Sequence, residues 1–313
     1  MENINKNSPL VSIVVISYNS SSYILETLES TKSQNYTNIE LIISDDGSKD
    51  NTVNLCQIWL KENKNFFTRV EIITVLLNSG IPSNVNRGVN AAKGEWIKLI
   101  AGDDILLDSC IHDNVIYVKK NNNINFLFSK PIYINSYSET ITSHNSKKFK
   151  ENDSFYNLTP RKQYLHLLTQ NHPINPPTLF FNKNVVDGIG GFDESFKNED
   201  FPFYLKITKL GYKLFFLNQD TIKYRIHSSS ISQKIKQKKG VSDWNFNKLK
   251  YTIVPQVNMN LSIQNPLTVI DIYNKLLFYN VLVLLGNTKK NKKRLSFIRW
   301  LSPLLILRKF KMN

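Results

Sequence analysis

VSIVVISY, residues 11–18, is an almost unbroken run of β-branched apolar residues. A strand with one face in water alternates apolar and polar residues, whereas a strand buried on both faces does not, so this run predicts the interior of a parallel sheet. The pattern repeats outward from it. Residues 20–22, all serine, can cap a following helix on which Ile24, Leu25 and Leu28 share a face. Residues 39–44 read as a second strand, 52–61 as a second helix, 70–76 as a third strand, 84–92 as a helix and 96–101 as a fourth strand. Strands and helices alternating at these lengths imply a wound α/β sheet with right-handed crossovers.

In such sheets ligands bind beyond the carboxyl ends of the strands. The residues there are Ser17, Tyr18 and Asn19 after the first strand, Asp45, Asp46, Gly47 and Ser48 after the second, and Gly102, Asp103 and Asp104 after the fourth. Two of the three tips carry adjacent aspartates. Paired carboxylates repel unless a cation or hydrogen-bond donors sit between them, which points to metal-assisted chemistry. The same residues also suit ordinary turns and helix caps.

Composition narrows the class. The chain has 313 residues, 41% hydrophobic and 12% aromatic, enough to bury a large core. Its net charge of +15 suggests an anionic partner, such as nucleic acid, a phosphate-bearing substrate or an acidic membrane surface. Cys56 and Cys110, the two cysteines, lack metal or redox spacing, which fits a reducing compartment. The N-terminal residues show no signal-like apolar run, and no stretch reaches the roughly 18 apolar residues of a membrane span, so a cytoplasmic protein is expected.

Downstream, residues 121–153 are polar around a short apolar run at 126–128. Residues 175–181 (NPPTLFF) and 188–194 (GIGGFDE) follow. Glu199 and Asp200 open a helical stretch that runs to Leu210 and ends at Gly211, and β-rich pieces at 213–217 and 221–227 come next. From about residue 232 the chain turns basic (QKIKQKKG). It then alternates helical apolar patterns at 267–285 with the cluster Lys289, Lys290, Lys292, Lys293 and Arg294, and with an aromatic and aliphatic tail containing Pro303. The expected division is residues 1–231 as one α/β domain, with halves of about 1–108 and 109–231, and 232–313 as a helical, basic extension.

Taken in order, VSIVVISYN, SDDGSKDNT, NSGIPSNVNRGVNAAKGEWIKLIAGDD, GGFDESFKNED and YRIH resemble the GT-A fold of the family 2 glycosyltransferases, inverting enzymes that use nucleotide sugars. The resemblance spans residues 10 to about 230. It implies a mixed sheet flanked by helices and a nucleotide-sugar site formed by Ile16, Ser17, Tyr18, Asp46, Asn84, Asn86, Gly102, Asp103, Asp104 and Arg225. Asp103 matches the last aspartate of the family's DxD pattern, whose first position is Ala101 here. It and His227 are the implied ligands of Mn²⁺ or Mg²⁺. Asp46 matches the aspartate that accepts from the nucleobase, and a carboxylate accepting an imide N–H would favour UDP or dTDP. Many relatives carry an arginine near Val85, and Arg87 would point elsewhere on the helix. Asp200 matches the catalytic base, with Glu199 its alternative, and Gly191, Phe192 and Asp193 match the acceptor side.

The resemblance implies transfer of one sugar from a UDP-sugar to a glycan acceptor, lipid-linked in the reading favoured here, in surface polysaccharide synthesis. The basic tail suits docking on an anionic membrane surface, or packing as a solvated helix. The competing classes are a nucleic-acid or anion binder, a nucleotidyltransferase and a non-catalytic relative. No zinc spacing, RNP-like aromatic pattern or helix-turn-helix signature supports nucleic-acid binding.

Overall fold

A computed structural model describes residues 8–142, 152–169, 174–196, 200–228, 230, 266–286 and 288–300. The chain divides into two compact units, Met1–His166 with His172–Arg225, and Leu167–Asn171 with Ile226–Asn313.

The first unit is built on an eight-stranded mixed sheet. In chain order the elements through the last strand are β1 (Val11–Ser17), α1 (Ile24–Lys32), β2 (Ile39–Asp45), α2 (Thr52–Asn63), β3 (Arg69–Thr74), α3 (Ile81–Ala91), β4 (Trp96–Ala101), β5 (Ile105–Leu106), α4 (Cys110–Lys120), β6 (Phe126–Ile134), α5 (Asn152–Tyr156), α6 (Pro160–Thr169), β7 (Phe180–Asn182), α7 (Lys183–Gly188), α8 (Asp200–Lys209) and β8 (Leu214–Arg225). The strand order is β3-β2-β1-β4-β7-β6-β8-β5. The first four neighbours are parallel, with Ser17 beside Asp45 and Ile16 beside Ala101. β7 runs antiparallel to both β4 and β6, and β6 runs parallel to β8.

β1 and β2 are buried along nearly their whole length, as their apolar runs require. Val11, Ile13, Val15, Leu41, Ile43, Leu28, Cys56, Trp59, Trp96 and Phe180 belong to one core cluster. Both cysteines are free and buried, and burial pushes the Cys56 thiol up to about 12 and that of Cys110 to about 11. At Gly88 a Cβ would overlap Val14 Cγ1, so this glycine lets α3 lie directly on β1.

Below the sheet's amino end, Glu40 is fully buried. It accepts hydrogen bonds from Ser12 Oγ, Lys93 N, Gly94 N (2.8 Å) and Arg69 Nη1 (2.8 Å). Burial would raise its carboxyl, but these donors outweigh burial and hold it below the usual range.

Three expectations are corrected. The serines at 20–22 do not cap α1. Its N-cap is Tyr23, with no side-chain cap bond: the helix start is closed by the Ser20 carbonyl, which accepts from Tyr23 N and Ile24 N (2.9 Å each), while Ser20 N and Ser21 N donate to Thr52 Oγ1 (2.8 Å) and Asp50 (3.0 Å). The two β-rich pieces at 213–217 and 221–227 are one strand, β8, whose polar middle, Asn218 to Asp220, is exposed but stays paired through Lys130. β6 likewise extends past Phe128 to Ile134, with register shifts around Lys130 and Pro131, where proline has no ladder donor.

Candidate functional site

The last two residues of β1 organise the carboxyl end of the sheet. Successive carbonyls of a strand point to opposite neighbours. Ile16 O accepts from Gly102 N (2.9 Å), which hangs the β4 turn on one side, and Ser17 O accepts from Asp46 N (2.9 Å), which hangs the β2 turn on the other. Both aspartate pairs therefore flank β1.

The β2 turn is tied down through its own polar residues. Asp45 accepts from Ser17 Oγ (2.9 Å), Gly47 N (3.1 Å), Ser48 N (2.8 Å) and Ser48 Oγ (2.5 Å). Asn19, at φ +52°, bridges to Ser48 Oγ (2.8 Å) and Lys49 N (2.8 Å). Asp46 is nearly fully buried and accepts from Ser79 N (3.1 Å), Ser79 Oγ (2.6 Å), Gly80 N (2.9 Å) and Arg87 Nη2 (3.3 Å). Burial pushes its carboxyl up, and these donors more than offset that, so it is held ionised below the usual range. Any further donor reaching Asp46 must share or displace one of them. Tyr18, about half exposed, stands next to this turn in the chain, and Ile16 is partly buried.

Several expected ligand-facing residues hold the scaffold instead. Asn84 is buried: its Nδ2 donates to Ser17 O (3.3 Å), and its Oδ1 accepts from Ser44 Oγ (2.6 Å) and Arg87 Nη1 (3.0 Å). Asn86 reaches away from the turns to the segment after α7. Its Oδ1 accepts from Phe192 N (2.9 Å), and its Nδ2 donates to Phe192 O (2.8 Å) and Glu194 Oε1 (2.7 Å). Ser83 Oγ adds a bond to Glu194 Oε2 (2.7 Å), and Lys206 Nζ of α8 donates to Gly191 O (3.0 Å). The segment around Gly191, at φ +61°, is thus clasped between α3 and α8, the helix that Asp200 opens. Phe192, expected on the acceptor side, is a core residue stacked on Phe203 (4.1 Å between ring centroids), since an aromatic ring gains most from burial. Asp193 is exposed and accepts from Ser195 N (3.0 Å).

Beyond β4, Asp103 is partly exposed and Asp104 is completely enclosed. Asp104 Oδ1 accepts from Arg225 N (2.8 Å), while its Oδ2 has no hydrogen-bond partner. Burial, and then the neighbouring Asp103 carboxylate, push the Asp104 carboxyl well above the usual range, against weaker pulls from Arg225 and Lys98. An orphaned carboxylate oxygen beside a second carboxylate is short of positive charge. That pair of hard oxygen donors fits a divalent cation, with Asp103 accessible enough to touch it and Asp104 supplying field from behind. Among the described residues no set of three or more His, Cys, Asp or Glu is preassembled as a metal cluster.

Arg225, expected at a diphosphate, is corrected to a support of this turn. Its side chain is fully buried. Nε donates to Asp103 O (2.7 Å), Nη1 to Ser138 Oγ (2.9 Å) and Asn135 O (3.3 Å), and Nη2 to Glu26 (2.9 Å), with the guanidinium 4.5 Å from the Tyr23 ring centroid. His227 belongs to the second unit, where its backbone N–H donates to Ser230 Oγ (3.1 Å). Asp200 is the first residue of α8, with Oδ1 accepting from Phe201 N (2.6 Å), and Glu199 lies outside the described residues.

Sequence reasoning missed Ser79, Lys206 and Lys98, and it turned Arg87 aside, whereas Arg87 donates to Asp46 and Asn84. Lys98 lies mid-strand in β4, fully buried, donating to Pro177 O (2.7 Å), and burial pulls its ammonium down to about 8. A lysine within an apolar strand was the one visible signal.

Residues 12–189 match the model of the family described as "Glycosyl transferase family 2". A Haemophilus influenzae protein named as an uncharacterized glycosyltransferase is 26% identical over 273 residues, 86% of this chain and 82% of its own length. Glycosyltransferase GlyG of Streptococcus pneumoniae is 36% identical over 104 residues, 33% of each chain. Among solved structures, Staphylococcus aureus TarS 1-349 in complex with UDP-GlcNAc has a TM-score of 0.59 at 17% identity, covering 85% of this chain and 71% of that one. A longer TarS chain is covered over only 44% of its length. A mannosyltransferase of Pyrobaculum calidifontis in complex with GDP-Man and Mn²⁺ has a TM-score of 0.53 at 13% identity, covering 94% of this chain and 86% of that one. These likenesses give the sheet a GT-A fold.

Proposed function

The chain belongs to glycosyl transferase family 2, and from that premise we propose that it moves one sugar, with inversion, from a UDP-sugar to a glycan acceptor. The observation that carries this reading is the Asp103–Asp104 turn, with its orphaned buried oxygen, held against the same β1 end as the Asp46 turn. A nucleoside needs the second turn and its diphosphate needs positive charge at the first.

Asp103 would hold Mn²⁺ or Mg²⁺. When bound, the ion neutralises charge on the departing diphosphate. The mannosyltransferase complex with Mn²⁺ supports a cation, and the TarS complex with UDP-GlcNAc supports a UDP donor. Asp46 and Tyr18 orient the nucleoside. Asp200, with Glu199 as the alternative, accepts the proton of the acceptor hydroxyl as that oxygen bonds to the anomeric carbon and the diphosphate leaves. The clasp of Asn86 and Glu194 fixes the segment leading into α8. Residues 1–231 would form the catalytic domain and 232–313 its extension. The acceptor is read as a lipid-linked surface glycan met at the inner face of the cytoplasmic membrane. No described helix is long and apolar enough to cross a membrane.

The test is binding and hydrolysis of UDP-, dTDP- and GDP-sugars, with and without Mn²⁺, by the native chain and by Asp103→Ala. Metal-dependent binding of one UDP-sugar that Asp103→Ala abolishes is the expected outcome. Failure of every nucleotide to bind under any metal refutes the reading.

A further inference from the structure

The charge of +15 is not spread over the molecule. Residues 1–231 contain 24 Lys and Arg against 23 Asp and Glu, whereas residues 232–313 contain 16 against 2. After Asp271 there are ten basic residues and no acidic one. The catalytic region is close to neutral, so its nucleotide site does not explain the charge.

Within the second unit, α9 (Pro266–Leu284), α10 (Lys289–Arg294) and α11 (Ser296–Trp300) form a helical hairpin. Gly286, at φ +91°, reverses the chain, and Asn291 Nδ2 locks the turn by donating to Leu285 O (2.6 Å) and Gly286 O (2.9 Å). Thr288 caps α10, and Asn274 Nδ2 joins α9 to Ile298 O (2.8 Å). Phe278, Leu282 and Ile298 fill the small core between the arms. Tyr279 and Val281 pack against this core and Ile272 is buried, but other apolar side chains of α9 stand open. Ile270, Tyr273, Leu277 and Leu284 are exposed at intervals of three, four and seven residues, which places them on one helix face. The stripe ends at the turn, where Leu284 is 83% and Leu285 61% exposed, and Phe297 of α11 is also exposed. Lys290, Lys292, Lys293 and Arg294 are exposed immediately beyond.

We infer that this hairpin is a docking element for an anionic lipid bilayer. The apolar stripe and the Leu284–Leu285 turn enter the interfacial region, and the cations of α10 engage lipid phosphates. An amphipathic segment with aliphatic and aromatic residues on one side and lysines beside them is what such a surface retains. Charge complementarity selects this occupant over a second copy of the chain, because two regions this cationic repel each other. A nucleic acid would satisfy the lysines but leave Leu284 and Leu285 in water. The inference deepens the peripheral-membrane part of the function proposed above, and its test does not depend on sugar transfer.

The experiment is co-sedimentation of the full chain with phosphatidylcholine vesicles and with vesicles containing about one third phosphatidylglycerol, at low and high salt. Binding is expected only to the anionic vesicles and to weaken at least ~10-fold at high salt. Replacing Lys290, Lys292, Lys293 and Arg294 together by Gln lowers partitioning on the order of 100-fold. Leu284→Ser with Leu285→Ser lowers it at least ~10-fold, with an unchanged thermal midpoint and unchanged hydrolysis of soluble donor. Equal binding to neutral vesicles, no binding to either, or retention by the leucine variant overturns the inference. Tighter retention on RNA than on anionic vesicles, indifferent to the leucines, overturns it in favour of a polyanion. Loss of donor hydrolysis in the native chain would instead count against the transferase reading.

Discussion

Arg225→Ala tests the idea that the acidic turn after β4 is held from behind rather than by its ligand. The substitution removes the donors to Asp103 O at 2.7 Å, Ser138 Oγ at 2.9 Å and Asn135 O at 3.3 Å, and the ion pair to Glu26 at 2.9 Å. Glu26 is 46% exposed, so solvent screens that pair, which contributes less than ~1 kcal/mol. The charged donors to the Asp103 carbonyl and the Ser138 hydroxyl count for more, about 1–2 kcal/mol each, and truncating a fully buried side chain leaves a void. The total is about 3–5 kcal/mol for the first unit. A chain of two units need not unfold in one step, so the readout is amide exchange of β1 and β4 peptides rather than a single melting curve. Exchange there should quicken by about 10² to 4 × 10³-fold, because each 1.4 kcal/mol is a factor of ten. Arg225→Lys keeps the charge but not the planar fork and should recover only part of the loss. Acceleration below about tenfold in Arg225→Ala would refute the supporting role.

Other substitutions separate scaffold from site. Glu40→Gln should cost about 2–3 kcal/mol at pH 7, since it removes an ionised acceptor from four donors. Because the fold holds the Glu40 carboxyl below its ordinary value, this stabilisation is present above about pH 4.5 and lost as pH falls through the folded value, so the gap between variant and native chain should close on acidification. A gap that persists unchanged to pH 3 would show that the charge is not what matters. Asn86→Ala opens the clasp and leaves the buried Phe192 backbone without partners. It should lower stability by about 2–3 kcal/mol and speed exchange at residues 190–194 more than in β1, and uniform acceleration would argue against a local clasp. Gly88→Ala should destabilise by about 1–2 kcal/mol despite alanine's better helix propensity, because the new methyl meets Val14; a raised thermal midpoint would show that α3 can shift off the sheet.

The sequence by itself determined the order of elements, the parallel core strands and the tips that carry carboxylates. Those follow from local periodicity: a run such as residues 11–18 has no exposed face to offer. Its motifs also determined the family. It could not determine what each polar residue at those tips does, because their partners lie far along the chain. Arg225 and Glu26 are 199 residues apart, Asn86 and Phe192 are 106 apart, and Asp46 and Gly80 are 34 apart. A buried guanidinium or amide goes where its hydrogen bonds are satisfied, and only the packed sheet decides which carbonyls and carboxylates are within reach. Tertiary structure therefore moved Arg225, Asn84, Asn86 and Phe192 from expected ligand contacts to the frame, left Asp103 accessible and enclosed Asp104. It also pinned the turn of a basic hairpin so that its leucines face outward, where the sequence showed only an apolar stretch followed by lysines.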